Sequence, residues 1–296
     1  MKIYFLLALT LLSNLAFGQD YRTEFLEFCE SGDTLNQIKV LKKWEKESPN
    51  DSELFTSYFN YHFMKSRKEV VTLTTDEPQG KKLVVTDSTN QPKGYIGSQI
   101  YYEDTEFQKG IDRIDDGIKL YPNRLDMRFG KIYSYGQKMD WENFTKTIKE
   151  TIAYSSKNNN NWTWTNNEPY PEGEQGFLRS LQDYQLQLYN TGNDDLLTNM
   201  REIASEILKY YPEHVASLSN ISITYMLTGK YDEALSSLLK AEQIDPTDFI
   251  VLSNIAHAYK LKGDNKNSIL YYKKTIEHGD EQAIQFAKQQ IEELSK

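Results

Sequence analysis

The chain has 296 residues, 43 of them acidic and 34 basic, a formal net charge of −9 and a single cysteine. That charge balance argues against nucleic-acid and anionic membrane partners, because both reward basic patches. One cysteine cannot build an internal disulfide framework, so stability has to come from buried apolar surface.

The first predicted element is a secretory signal over 1–18. Lys2 precedes an apolar run from Ile3 to Leu12, followed by Ala16-Phe17-Gly18. A charged start, a short apolar stretch and small residues before a cleavage point describe an export leader. The run is well short of the roughly 20 residues that span a bilayer. The expectation is therefore an exported protein, periplasmic or extracellular, with Gln19 first and no membrane span after cleavage.

Residues 19–66 read as a helix pair and the first helix of a second pair. Gly32 precedes Pro49 by 17 residues, the spacing that recurs between Gly229 and Pro246, with Phe25, Phe28 and Leu41 at apolar positions. Cys29, beside Phe25 and Phe28, reads as a core residue. Residues 67–103 break the helical pattern. Their β-branched runs are separated by "DEPQG" and "NQPKG", turn signals that predict a three-stranded antiparallel meander. Over 104–156, "DTEFQKGIDRIDDGIKLYP" supplies the partner helix of the interrupted pair, and a third pair follows from Leu125. Residues 157–174 hold the stretch "NNNNWTWTNNEPYPEG", where prolines forbid a continuing helix. Residues 175–214 form a fourth pair with Gly192 near its turn.

The last third of the chain repeats itself. "VASLSNISITYMLTGKYDEALSSLLKAEQIDPTD" over 215–248 aligns without gaps on "FIVLSNIAHAYKLKGDNKNSILYYKKTIEHGDEQ", the start of 249–280 and just beyond. Leu218 falls on Leu252, Asn220 on Asn254, Ile221 on Ile255, Tyr225 on Tyr259 and Gly229 on Gly263, always 34 residues apart. Each copy is an apolar helix, a glycine turn and a second apolar helix, the turn being where a left-handed conformation suits glycine. Ala234 and Ser268 are small where the two helices must approach. Residues 281–296 form one amphipathic helix suited to capping an exposed end.

This period and wording resemble the tetratricopeptide repeat. Leu218, Ile221-Ser222, Tyr225, Gly229, Ala234, Leu238, Ala241 and Pro246 meet the family pattern, and "GKYDEAL" is close to its usual phrasing. The second copy departs at Ser268, Thr275 and Asp280. The resemblance implies an all-α, right-handed superhelical solenoid of about six helix pairs, with the β meander inserted, a C-terminal capping helix and no domain break. It also implies a non-catalytic interaction scaffold that holds a peptide or protein partner in a concave groove. Asn220 and Asn254 match the family's groove asparagine; Ile223, His257 and Lys260 should face the same way. The family members that clamp a C-terminal carboxylate place basic residues where this chain has Ala216, Ser219, Ile250 and Ser253, so no such clamp is expected.

Catalytic and metal chemistry is not legible. The four histidines have no ligand spacing with one another or with Cys29, and no phosphate loop or nucleophile elbow occurs. No cofactor, metal or catalytic residue is expected. The alternative to a peptide scaffold is a carbohydrate-binding protein using Trp162 and Trp164, whose faces could stack on sugar rings. The bland reading of the same loop, and the favoured one because large aromatics are usually buried, is a lid folded onto the ends of the third and fourth pairs.

Overall fold

The computed structural model describes residues 20–77 and 82–296; the export segment predicted over 1–18 lies outside the described residues, as does part of the first turn of the insertion. The chain divides into two compact units. The first runs to Asp140 and includes Trp162–Tyr170; the second comprises Trp141–Asn161 and Pro171–Lys296.

The first unit begins with a helix over 20–30 (α1), followed by α2 (Thr34–Glu47) and α3 (Ser52–Ser66). Asp33 caps α2 through the Asn36 amide, and Asp51 caps α3 through the Glu53 amide. Such carboxylates satisfy amides that a helix start leaves without partners. Tyr21, Phe25, Leu41, Trp44, Leu54 and Tyr58 form the core of these helices. Cys29 does not join it. In the last turn of α1 the thiol is exposed, while Phe25 takes the inward position.

A three-stranded sheet follows: β1 (Arg67–Thr74), β2 (Lys82–Thr86) and β3 (Pro92–Tyr102). It is antiparallel, but its order is β1-β3-β2, not the sequential order of a meander. The long third strand pairs on both sides, with Ile96 opposite both Leu73 and Leu83. The insertion closes where it opened, since the Glu103 amide donates to the Ser66 carbonyl at 2.8 Å.

Beyond the sheet, α4 (Asp104–Leu120) packs directly on α3. Two glycines permit the approach. A Cβ on Gly117 would lie 2.8 Å from the Phe55 Cβ, and one on Gly110 3.3 Å from the His62 Cβ. The pair that the insertion interrupts in sequence is thus closed in space. The last helix of this unit is α5 (Leu125–Lys138).

The second unit holds α6 (Trp141–Ser155), α7 (Gly173–Tyr189), α8 (Leu197–Tyr210), α9 (Val215–Leu227), α10 (Tyr231–Ile244), α11 (Phe249–Lys262), α12 (Asn265–His278) and α13 (Glu281–Leu294). Its turns follow the predicted glycines: Gly192, Gly229 and Gly263 have φ of 67°, 72° and 84°. Ala234 is wholly buried beside Leu238 and Leu218. Ser268 is equally buried, and its hydroxyl donates to the Ala256 carbonyl at 2.8 Å, which explains a serine where alanine is usual.

Helix pairs therefore dominate as expected, but the expectation of a chain without a break is corrected. The third predicted pair is divided, with α5 in the first unit and α6 in the second. Within the second unit α6 packs on α8, the Asn199 amide donating to the Thr145 hydroxyl at 2.9 Å. Periodicity reveals where helices reverse, not which of them share a core. No helix among the described residues is long and apolar enough to cross a membrane.

Candidate functional site

In the second unit, α7, α9 and α11 line a cavity of about 670 Å³, within the range of ligand-binding clefts. From α7 come Gln182, Gln185, Leu186 and Tyr189. Their spacing puts them on one helical face. From α9 come Asn220 and Ile223, and from α11 Ile250 and Val251. Leu186, Tyr189 and Ile250 are each at least half exposed, so the cavity wall presents apolar surface that the unit itself does not cover.

The polar groups form cross-braces between neighbouring helices. The Asn220 amide donates to Gln182 Oε1, joining α9 to α7. The Asn254 amide donates to the Ser219 hydroxyl at 2.9 Å, joining α11 to α9. Each asparagine commits one N–H in this way, and a side-chain amide has a second donor and an acceptor besides. Gln185 differs. It is 1% exposed, and its Oε1 has no hydrogen-bond partner.

Besides Tyr189, the cavity's ionisable residues are Asp183, Asp248 and His214. Asp248 caps α11, accepting from the Ile250 and Val251 amides at 2.9 and 3.1 Å. His214 lies 2.8 Å from the Ser217 hydroxyl, and burial holds its pKa below the ordinary histidine value, so it is neutral at neutral pH. No lysine or arginine lines the cavity; Ala216, Ser219 and Ile250 do, at positions where a carboxylate clamp would need cations.

The structure thus brings Asn220 and Ile223 together in the cavity, with Asn254 braced to its wall. His257 and Lys260 are not among its lining residues. Lys260 is held by α13, its ammonium 2.6 Å from Gln290 Oε1 and 3.2 Å from Glu293. The α7 residues were not singled out in the sequence, although Gln182, Gln185, Leu186 and Tyr189 stand at i, i+3, i+4 and i+7. That spacing was the available signal.

Trp162 and Trp164 belong to the first unit. Trp162 is 3% exposed, with the Arg128 guanidinium 5.7 Å from its ring centre, so no face remains for a sugar. Trp164 is half-buried and packs against Phe129 and Tyr170 at 6.2 and 5.2 Å between ring centres. The loop is a clasp on α3 and the start of α5. The Thr163 amide donates to the Asn123 carbonyl, and the Leu125 amide to the Thr163 carbonyl, both at 2.9 Å. The Asn166 amide reaches Glu53 at 2.8 Å, and the same Glu53 oxygen receives the Arg124 guanidinium at 2.7 Å. Arg124 is fully buried and also grips Asp126 through two nitrogens. Asn159, Asn160, Asn166 and Asn167 all have φ between 51° and 59°. The asparagine run supplies the non-glycine residue that best tolerates the left-handed region. Among the described residues no group of three or more His, Cys, Asp or Glu could hold a metal.

Two family models match the chain: a TPR repeat over 224–263 and a tetratricopeptide repeat over 251–277. The chain carries tetratricopeptide repeats there. No curated protein matches it. Among solved structures it is similar to the TPR protein YrrB, at 12% identity, covering 84% of this chain and 97% of that one with a TM-score of 0.42. It is similar also to the C-terminal part of a TPR repeat-containing protein from Cytophaga hutchinsonii, at 11% identity, covering 86% and 78% with a TM-score of 0.42. A third is TTC0263 from Thermus thermophilus, at 14% identity, covering 63% and 91% with a TM-score of 0.40.

Proposed function

We propose that this tetratricopeptide-repeat chain is an exported, non-catalytic scaffold that holds a peptide segment of a protein partner in the cavity between α7, α9 and α11. One observation carries the reading. A concave surface with large apolar side chains left half exposed sits among amides that can meet a peptide backbone. Surface of that kind is costly to leave in water and marks a contact. Asn220, Ile223 and Asn254 belong to that contact, and His257 and Lys260 extend the same line on α11. Export rests on Lys2, the run from Ile3 to Leu12 and Gly18.

The test is cross-linking in the exported fraction with the native chain and with Ile223→Asp. A charge placed on the cavity wall should abolish partner capture and leave the circular dichroism spectrum intact; undiminished capture would refute the site. Mass spectrometry of the same fraction should find Gln19 first, and retention of Lys2 would refute export. The carbohydrate reading has Trp164 and Tyr170 in its favour but lacks the second platform, because Trp162 is buried.

A further inference from the structure

We infer that the inserted sheet is a self-association surface. In this arrangement β1 pairs antiparallel with β1 of a second copy of the chain across a two-fold axis, joining two three-stranded sheets edge to edge. The inference concerns the first unit and does not depend on the cavity between α7, α9 and α11.

The two edges of the sheet differ. In the order β1-β3-β2 only β3 is flanked on both sides, so β1 and β2 each turn backbone amides and carbonyls outward. Such an edge is a template for another strand unless the sequence blunts it. The β2 edge is blunted, being five residues long with a register shift between Val85 and Thr86. The β1 edge is not. Its eight residues pair with β3 from Arg67 to Thr74 without a shift, and "VVTLT" over 70–74 holds no proline, glycine or charge.

The side chains of β1 are uncovered as well. Val71 is 77% exposed and Leu73 70%. Leu73 continues across the sheet into Ile96 and Leu83, which are also exposed. Branched aliphatic side chains draw their stabilisation from neighbours on an adjacent strand, and β1 has such neighbours on one side only.

Charge selects the occupant. Arg67 lies 3.7 Å from Glu69, and Lys82 2.7 Å from Glu77. Lys68 and Asp76 fall outside those two pairs, one at the start of β1 and the other just beyond its end, and both are exposed. A second β1 laid antiparallel about Val71 sets Lys68 of each copy opposite Thr74 of the other, at the end where Asp76 stands. The two-fold axis makes that match twice. A parallel copy would set Lys68 beside Lys68, and like charges on neighbouring strands are destabilising. Because β1 begins where α3 ends, the antiparallel arrangement also sends the helices of the two copies to opposite ends of the joined sheet. Lipid is a poor cover by comparison, since the turns at the far end carry Asp76, Glu77 and Asp87.

The experiment is sedimentation velocity of the purified full chain over a concentration series reaching about 1 mM. A reversible dimer is expected. Val71→Lys places two like charges together at the two-fold axis. It should leave monomer at every concentration and an unchanged circular dichroism spectrum, because the side chain it replaces is exposed. Lys68→Glu and Asp76→Lys should each weaken the dimer about 10-fold. An equimolar mixture of those two variants should restore it, because only the mixed dimer sets opposite charges together at both ends. Monomer throughout the series for the native chain would overturn the inference, and so would a dimer that survives Val71→Lys. A mixture that fails to recover association would overturn the antiparallel pairing. Open-ended polymers in place of a dimer would show that the β2 edge pairs too, and would overturn the closed two-fold arrangement. None of these outcomes bears on the cavity, so this inference can fail while the scaffold reading stands.

Discussion

The two units treat their polar groups in opposite ways. In the first, a charged cluster is closed. Glu53 receives the Arg124 guanidinium and the Asn166 amide, with Arg22 3.6 Å away, and Arg124 in turn grips Asp126. In the second, the row of amides along α7, α9 and α11 is left open, with Gln185 Oε1 unsatisfied and Leu186, Tyr189 and Ile250 half exposed. A buried ion cluster with every member paired is built to be kept, since removing one member strands the others. The amides of Asn220 and Asn254 keep a spare donor each beside apolar surface that the unit leaves uncovered. The irregular, tryptophan-bearing loop looked the more functional in sequence, yet it lies on the closed side of this comparison.

The comparison can be broken most directly at Arg124. Arg124→Met leaves Asp126 without its cation and Glu53 with only Arg22 at 3.6 Å, and should destabilise the first unit by about 3–5 kcal/mol. Restoring neutrality at Glu53 with a second change, Glu53→Gln, should recover part of that loss. Hydrogen exchange separates the units: the loss should be confined to peptides from the first. Exchange accelerating equally in α9 to α12 would show that the cluster does not act on one unit alone.

Trp162→Ala should cost a similar amount, about 3–5 kcal/mol for a buried aromatic, whereas Trp164→Ala should cost distinctly less because its ring is only half-buried. Denaturant melts compare the two. Equal losses would mean that the loop clasps the unit through both rings.

Gly117 probes the approach of α4 to α3. Its missing Cβ would meet the Phe55 Cβ at 2.8 Å and the Met127 sulfur at 3.0 Å, so Gly117→Ala should cost about 1–3 kcal/mol by overpacking. In an open helix interior the same change would stabilise. A thermal melt that rises would show the two helices to be more loosely packed than the geometry requires.

The smallest expected effect is one of pH. Glu106 lies beside Lys109, His62 and Lys65, which hold its carboxyl down at about 2. Its folded value is therefore below its ordinary 4.5, and the unfolded chain takes up the proton first as the solution is acidified. The stability it contributes is complete above 4.5 and is lost as pH falls from there towards 2. Glu106→Gln should flatten the acid limb of the stability profile of the first unit; an unchanged slope would place the acid sensitivity elsewhere.

Much of this was legible in the residues. The 34-residue offset located α9 to α12, the spacing of Gly32 to Pro49 marked the first pair, and β-branched runs between turn signals announced a sheet. These are local properties: a glycine at positive φ or an apolar stripe is decided by neighbours within a turn or two. Asn220 and Ile223 were legible for the same reason, because their place in the repeat fixes the side of the helix they occupy.

Only tertiary structure decided the rest. Which strand lies in the middle of the sheet depends on pairing over more than twenty residues. That Trp162 is buried follows from Asn123, Leu125 and Glu53, the last more than a hundred positions away. That Gln185 Oε1 is left without a donor while its Nε2 bonds Gln182 depends on what Gln182 and Asn220 do with their own amides. Sequence by itself determined where this chain forms helices, where it reverses and which side of each helix is apolar. The fold decided which polar groups satisfy one another and which do not, because hydrogen bonds and burial are settled between segments, and no period along the chain encodes them.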